Sequence, residues 1–187
     1  MKSEYLLNLT DLIGYQFKSR CPGTGRGCLF ACNLWNTYYI EVIVMERQKV
    51  IEEIENILNI SRVGVMSTIS GDKPNSRYMI FYNDGHTLYT KTDEATPKAD
   101  EIKQNPNTHV LLGYEETSND SFLEIDGKVE IVEDQETLDW LWQNQDKTYF
   151  DSEKDPDFTV LKINPESIKV MNDQDNVGKS QVVDFSK

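Results

Sequence analysis

The pattern of apolar and polar positions changes character near residue 45. Between Met1 and Val44, tyrosines, cysteines and glycines are scattered without a repeat. From Met45 the stretch MERQKVIEEIENILNIS sets Val50, Ile54, Ile57 and Leu58 at helical spacing, with Ile51 beside them and charges opposite. That is the pattern of an amphipathic helix. The period then falls to two. RVGVMSTIS places Val63, Val65, Ser67 and Ile69 on one face of a strand. GDKPN reads as a turn, SRYMIFY as a second strand, NDGH with Asp84-Gly85 as a hairpin turn, and TLYTKT as a third strand. TPKADEIKQ is a short helix stopped by NPN, and THVLLGYE and SFLEIDGKVEIVE are further strands, with Gly127 marking a bulge or bend. DQETLDWLWQNQ is a helix, DKTYFDSEKDPD a polar stretch, and FTVLKINP and SIKVMN the last strands. About seven short strands, hairpin-linked and punctuated by short helices, predict a mostly β protein built as a small antiparallel barrel. Residues 1–44 read as an extension, 45–172 as the barrel domain and 173–187 as a polar tail; the methionine at the seam suggests that the domain starts there.

Composition narrows the partners. The formal charge is −13 over 187 residues. Residues 1–44 hold four basic and three acidic side chains, so the remainder carries −14. Such a chain is a poor match for nucleic acid or an anionic membrane, whose sequence-independent attraction needs basic patches. No stretch approaches the roughly 20 apolar residues of a membrane span. The first residues, MKSEYLLNLTDLIGYQF, break their apolar run with Asn8 and Asp11, unlike a signal peptide. The expected compartment is the cytoplasm, where cysteines stay reduced. All three cysteines, Cys21, Cys28 and Cys32, lie in CPGTGRGCLFAC. Both phosphate-loop and dinucleotide fingerprints fail there, because Cys28 stands where each requires a glycine. No fourth metal ligand is close, and His86 and His109 lie far along the chain in apparent strand contexts. An incidental glycine-rich loop is favoured over a metal or redox site.

Candidate chemistry lies instead in EATPKADEIKQNP. Thr96 suits an N-cap and Pro97 the first helical position. Lys98 in the first turn is anomalous, since the helix dipole disfavours a cation there by a few tenths of a kcal/mol. A docked anion reverses that argument by drawing backbone N–H groups, the Thr hydroxyl and the ammonium together. The competing reading is a solvated surface lysine. Arg77, in the strand before the hairpin, is expected to pair across the turn with YTKT and so approach Lys98; the competing reading is an outward pair with an acid. Two cations with Thr90, Thr92 and Thr96 suit a dianionic phosphate.

The run PNSRYMIFYNDGHTLYTKTDEATPKADEIKQNPNTHVLLGY resembles the FMN-binding split barrel of the pyridoxamine 5′-phosphate oxidase-like superfamily. Trp142 near a helix end, the preceding IDGKVEIVED, TYF and DPDFTVLKINPESIKV are similar to its general stress protein 26 group. The likeness covers Glu46 to about Asn172. It implies a homodimer with FMN at the interface, FAD or a deazaflavin remaining open. By position it makes Arg77 and Lys98 phosphate ligands assisted by Thr96, with Thr92, or Thr90 in another register, at the family's threonine. Backbone groups of Tyr78 and Met79 would line the flavin ring. Trp142 would approach the flavin from the partner subunit, although beside Leu138 and Leu141 a core position is favoured.

Departures from the family bear on activity. True pyridoxamine phosphate oxidases end in a segment with Trp, Arg and His that grips the substrate phosphate, whereas SIKVMNDQDNVGKSQVVDFSK has none of the three. Vitamin B6 oxidation is therefore not expected. Where the stress-protein group carries aromatic pairs, this chain has Tyr149-Phe150, and Met171 in place of a terminal Trp. Three readings stay open: an FMN-dependent oxidoreductase acting on an unknown small molecule, a flavin-holding stress protein without turnover, and a barrel that has lost its ligand. No Ser-His-Asp, Cys-His or paired-carboxylate constellation supplies a catalytic side chain, as expected where a flavin carries the electrons.

Overall fold

The computed structural model describes residues 26–93, 96–115, 120–145, 150, 152, 155, 157–172 and 181–185, without the side chains of residues 26–39 and Pro97. The chain divides into two units, residues 1–48 and 49–187. Helix α1 (Arg26–Ile60) begins well upstream of Met45. Arg26 through Cys32 is therefore helical backbone rather than loop. No charged residue occurs between Gly27 and Ile40, so no polar face marks this part of the helix in the sequence. Cys21 lies outside the described residues, as do the side chains of Cys28 and Cys32. Further along, Val50, Ile54, Ile57 and Leu58 are buried as their spacing requires. They join Met66, Phe81 and Leu88 in the main core.

The strands are β1 (Val63–Ser70), β2 (Lys73–Ile80), β3 (Tyr82–Asp84), β4 (Thr87–Asp93), β5 (Asn107–Leu112), β6 (Phe122–Ile131), β7 (Phe158–Met171) and β8 (Gln181–Asp184). Helix α2 (Pro97–Gln104) follows β4, and α3 (Gln135–Asn144) follows β6, with the Asp134 carboxylate capping Thr137 N at 2.9 Å. Every pairing is antiparallel, in the order β2-β1-β5-β6-β7-β4-β3, with β8 also on β7. This is the small antiparallel barrel expected from the pattern, of the split type that the resemblance implies.

The topology corrects several local expectations. SRYMIFY is two strands, because fully buried Phe81 interrupts it and its N–H is taken by Arg62 O at 2.7 Å. Arg77 consequently pairs with Met66 of β1, not across a hairpin with β4. In β1, Val63, Val65, Ser67 and Ile69 do share a face, but it is the more exposed one; Gly64, Met66 and Thr68 point inward. His86 sits in the turn before β4. FTVLKINP and SIKVMN fuse into one strand, with Pro165 opposite Gly127 at the Asp126/Gly127 register shift, and bulges are among the places where a strand accommodates proline. The expected polar tail contains β8, whose Val183 is buried.

Curvature follows from connectivity. Strands β2 and β3 end the sheet path at opposite edges, yet only Phe81 separates them in the chain. The sheet must therefore curl until its edges nearly meet. The bulge at Gly127 supplies part of that bend, and it tolerates nothing larger: an added Cβ would lie 2.4 Å from Asn164 O. Gly127→Ala is expected to lower stability by about 1–3 kcal/mol, seen as an earlier urea midpoint with an unchanged m value; an unaltered midpoint would show that the bulge is not close-packed.

Candidate functional site

Where the curled edges approach each other they leave a cavity of about 580 Å³. One wall is the end of β2 and the start of β1, giving Tyr78, Met79, Ile80 and Val63. The other is β4, giving Thr90, Lys91, Thr92 and Asp93, with Thr96 and Lys98 from the entry to α2 and Phe150 completing it. The Thr90 hydroxyl donates to Ile80 O at 2.8 Å, a side-chain bond spanning the seam where no ladder forms. Of the eight residues singled out in the sequence, the fold brings six to this cavity: Tyr78, Met79, Thr90, Thr92, Thr96 and Lys98.

The polar end is built around α2. Thr96 occupies the N-cap position, but its hydroxyl makes no side-chain cap; it turns back to donate to Asp93 O at 2.7 Å and lies 3.3 Å from the Thr92 hydroxyl. Lys98 Nζ rests 3.7 Å from Met79 Sδ, a weak acceptor. Burial pushes its pKa below the ordinary lysine value, the Arg77 charge lowers it further, and Asp93 offsets part of this.

Arg77 stands behind the cavity wall. Its Nη2 donates to Glu101 Oε2 at 2.8 Å, to Thr68 Oγ1 at 2.9 Å and, more weakly, to Asn75 O at 3.4 Å. Glu101, on α2, also accepts from the Thr68 hydroxyl and from Asn75 Nδ2. Burial alone would raise the Glu101 pKa. The bonds from Thr68, Arg77 and Asn75, together with the Arg77 charge, outweigh burial and hold it at about 2. Arg77 Nη1, by contrast, is buried without a hydrogen-bond partner among the described residues. A buried donor left unmade costs about 1–3 kcal/mol, and more on a charged group, so its presence calls for an acceptor.

Trp142 is not part of the cavity wall. It packs edge-on to Phe158 at 5.5 Å in a second cluster with Tyr82, Tyr89 and Leu141. Phe150 does reach the cavity, whereas Tyr149 lies outside the described residues. Met171 ends β7 opposite Phe122. Glu101 and Lys91 escaped sequence reasoning for different reasons. Glu101 looks like any helix-surface acid, although an acid three residues after the anomalous lysine was a usable signal. Lys91 lies in a run, Leu88 through Thr92, that is buried on both faces and so shows no alternation. Among the described residues no cluster of three or more His, Cys, Asp or Glu suits a metal ion, and no helix is long and apolar enough to cross a membrane.

The family model described as pyridoxamine 5′-phosphate oxidase matches residues 50–172. General stress protein 26 of Bacillus subtilis is 40% identical over 129 residues, which span 68% of this chain and 92% of that protein. The crystal structure of general stress protein 26 from Bacillus anthracis aligns with a TM-score of 0.64 at 32% identity, covering 73% of this chain and 98% of the other. A pyridoxamine 5′-phosphate oxidase-related, FMN-binding protein from Nostoc punctiforme shares the fold, with a TM-score of 0.53 at 15% identity over 74% of this chain and 96% of its own.

The Glu101 shift sets the sign of an acid response. Its folded pKa of about 2 lies below the ordinary 4.5, so its contribution is complete above that ordinary value and fades as pH falls through about 2. Glu101→Gln is expected to cost about 3 kcal/mol at pH 7 and distinctly less at pH 3, measured from urea midpoints. A penalty independent of pH would contradict the ion pair.

Proposed function

The chain belongs to the pyridoxamine 5′-phosphate oxidase family, and from that premise we propose that it is a flavoprotein that holds flavin mononucleotide in the seam cavity and acts as an oxidoreductase of the general stress protein type. The observation that carries the reading is a pair of cations with donors to spare among the described residues: Lys98 at the cavity, with a sulfur for its neighbour, and Arg77 behind it with Nη1 buried and without an acceptor. In a chain of net charge −13, such a pair points to a specific anion.

The residues present fit the group. Lys98 and Arg77 would take the phosphate, with the hydroxyls of Thr96 and Thr92 at the same end. Lys98 is suited to this because a dianion beside it reverses the electrostatics that depress its pKa, keeping the ammonium charged. Tyr78, Met79, Ile80 and Phe150 offer an apolar and aromatic wall for a flat ring system, and Thr90 fixes the Ile80 carbonyl at its edge. FMN, when bound, supplies the electron transfer itself. The chain's own part is to orient the ring, exclude water and fix the phosphate. Val63 and Tyr78 are 61% and 79% exposed at the cavity rim, a surface suited to closure by a second copy. The segment from Ser167 to Lys187 holds no Arg, His or Trp, so vitamin B6 oxidation is not part of this reading. The cytoplasm is the compartment it implies.

Protein purified without added flavin is expected to be yellow, to elute at the volume of a dimer and to release FMN on denaturation. Lys98→Ala should weaken FMN by at least tenfold, roughly the loss of one charge-assisted bond, and leave riboflavin binding nearly unchanged. Steady reduction by NAD(P)H would mark turnover as opposed to storage. A colourless protein that ignores added FMN would overturn the assignment.

A further inference from the structure

Glu101 touches the proposed phosphate site only through other residues. It lies three residues after Lys98, one turn along the same face of α2. Its Oε1 accepts from Asn75 Nδ2 of β2 at 2.9 Å, and its Oε2 accepts from Thr68 of β1 and from Arg77 Nη2 of β2 at 2.8 Å. One carboxylate thus ties the helix that carries Lys98 to the strand that carries Arg77. The guanidinium is a rigid planar fork, so fixing one nitrogen fixes the direction of the other. Here Nη2 is filled with acceptors while Nη1 is buried with none among the described residues.

Resting on the flavin-phosphate reading above, we propose that Glu101 is the positioning residue of the anion subsite: it fastens Arg77 through Nη2 and holds Nη1 and Lys98 Nζ as a matched pair for a phosphate monoester. Two effects oppose each other at this position. As a charge beside two cations, the carboxylate weakens their pull on an anion. As a hydrogen-bond anchor, it preorganises their donors and removes the ordering cost from binding. The buried, multiply bonded geometry makes the second effect dominant, since Arg77 without its anchor would have to be reoriented at each binding event.

The test compares dissociation constants for FMN and for riboflavin, which lacks the phosphate, in wild type, Glu101→Ala and Glu101→Gln. Glu101→Ala is expected to weaken FMN by roughly tenfold or more and to alter riboflavin by less than about twofold. Glu101→Gln keeps an acceptor oxygen for Nη2 and should recover most of the loss. A parallel loss for both ligands would mean that Glu101 only anchors the helix, and tighter FMN binding in Glu101→Ala would mean that it acts only as an opposing charge; either overturns the proposal. Should Glu101→Ala fail to fold, Glu101→Asp replaces it. Aspartate keeps the charge but retracts the oxygens by one methylene, so FMN should bind more weakly than to Glu101→Gln, and the reverse order overturns the proposal. Failure of the phosphate reading itself looks different: wild type would then bind FMN and riboflavin alike. If wild type discriminates and the Glu101 variants do so equally, only the role of Glu101 falls.

Discussion

A sheet whose two outermost strands are consecutive in the chain has no choice but to curl. Strands β2 and β3 sit at opposite ends of the hydrogen-bonded order, and Phe81 alone joins them. The hydrophobic effect reinforces the covalent constraint: Phe81 is buried among Leu88, Leu112 and the α1 residues Ile54 and Leu58, and burial of such a ring is worth about 1.5–3 kcal/mol. Curling leaves a seam where the strand ladder is interrupted. The cavity lies in that seam, so the site follows from how this barrel is closed.

What the seam collects decides what it can hold. Strand β2 contributes an apolar wall and, from its inner side, Arg77; the end of β4 and the start of α2 contribute hydroxyls and Lys98. A single acid, Glu101, pairs with Arg77 and also accepts from Thr68 and Asn75, whereas at Lys98 the charge of Asp93 offsets only part of the effect of burial and of Arg77. Among the described residues the cavity lining holds Lys91 and Lys98 against Asp93, in a strongly acidic chain. A cavity that is apolar along one wall and cationic at one end suits a planar heterocycle bearing a phosphate. That shape is shared by many cofactors, and the proposal of flavin among them rests on family membership.

Much of this was legible in the sequence because it rests on local signals. The helix from Val50 to Leu58 follows from its 3.6-residue period, α2 from Thr-Pro at its start and Asn-Pro at its end, and the bulge from Gly127 inside a strand. Lys98, anomalous in the first turn of a helix, lines the cavity. Other features are non-local. Arg77 was expected to face β4 across a hairpin, but Phe81 sends β2 and β3 to different edges, a consequence of core packing that strand propensity does not encode. Val63 and Val65 look like core residues by alternation, yet Met66 and Thr68 take the inner face beside Gly64, where Leu111 O and Phe81 leave no room for a side chain. Strand β8 is too short to show a period, and the charge-free start of α1 has no polar face to reveal it. Glu101 becomes visible only when three elements converge on it.

The most direct test of the account is the crystal structure of this chain with FMN bound. The account predicts the phosphate within hydrogen-bond distance of both Lys98 Nζ and Arg77 Nη1, with Arg77 Nη2 still on Glu101. A phosphate seated elsewhere, or one that Arg77 reaches only by leaving Glu101, would contradict it.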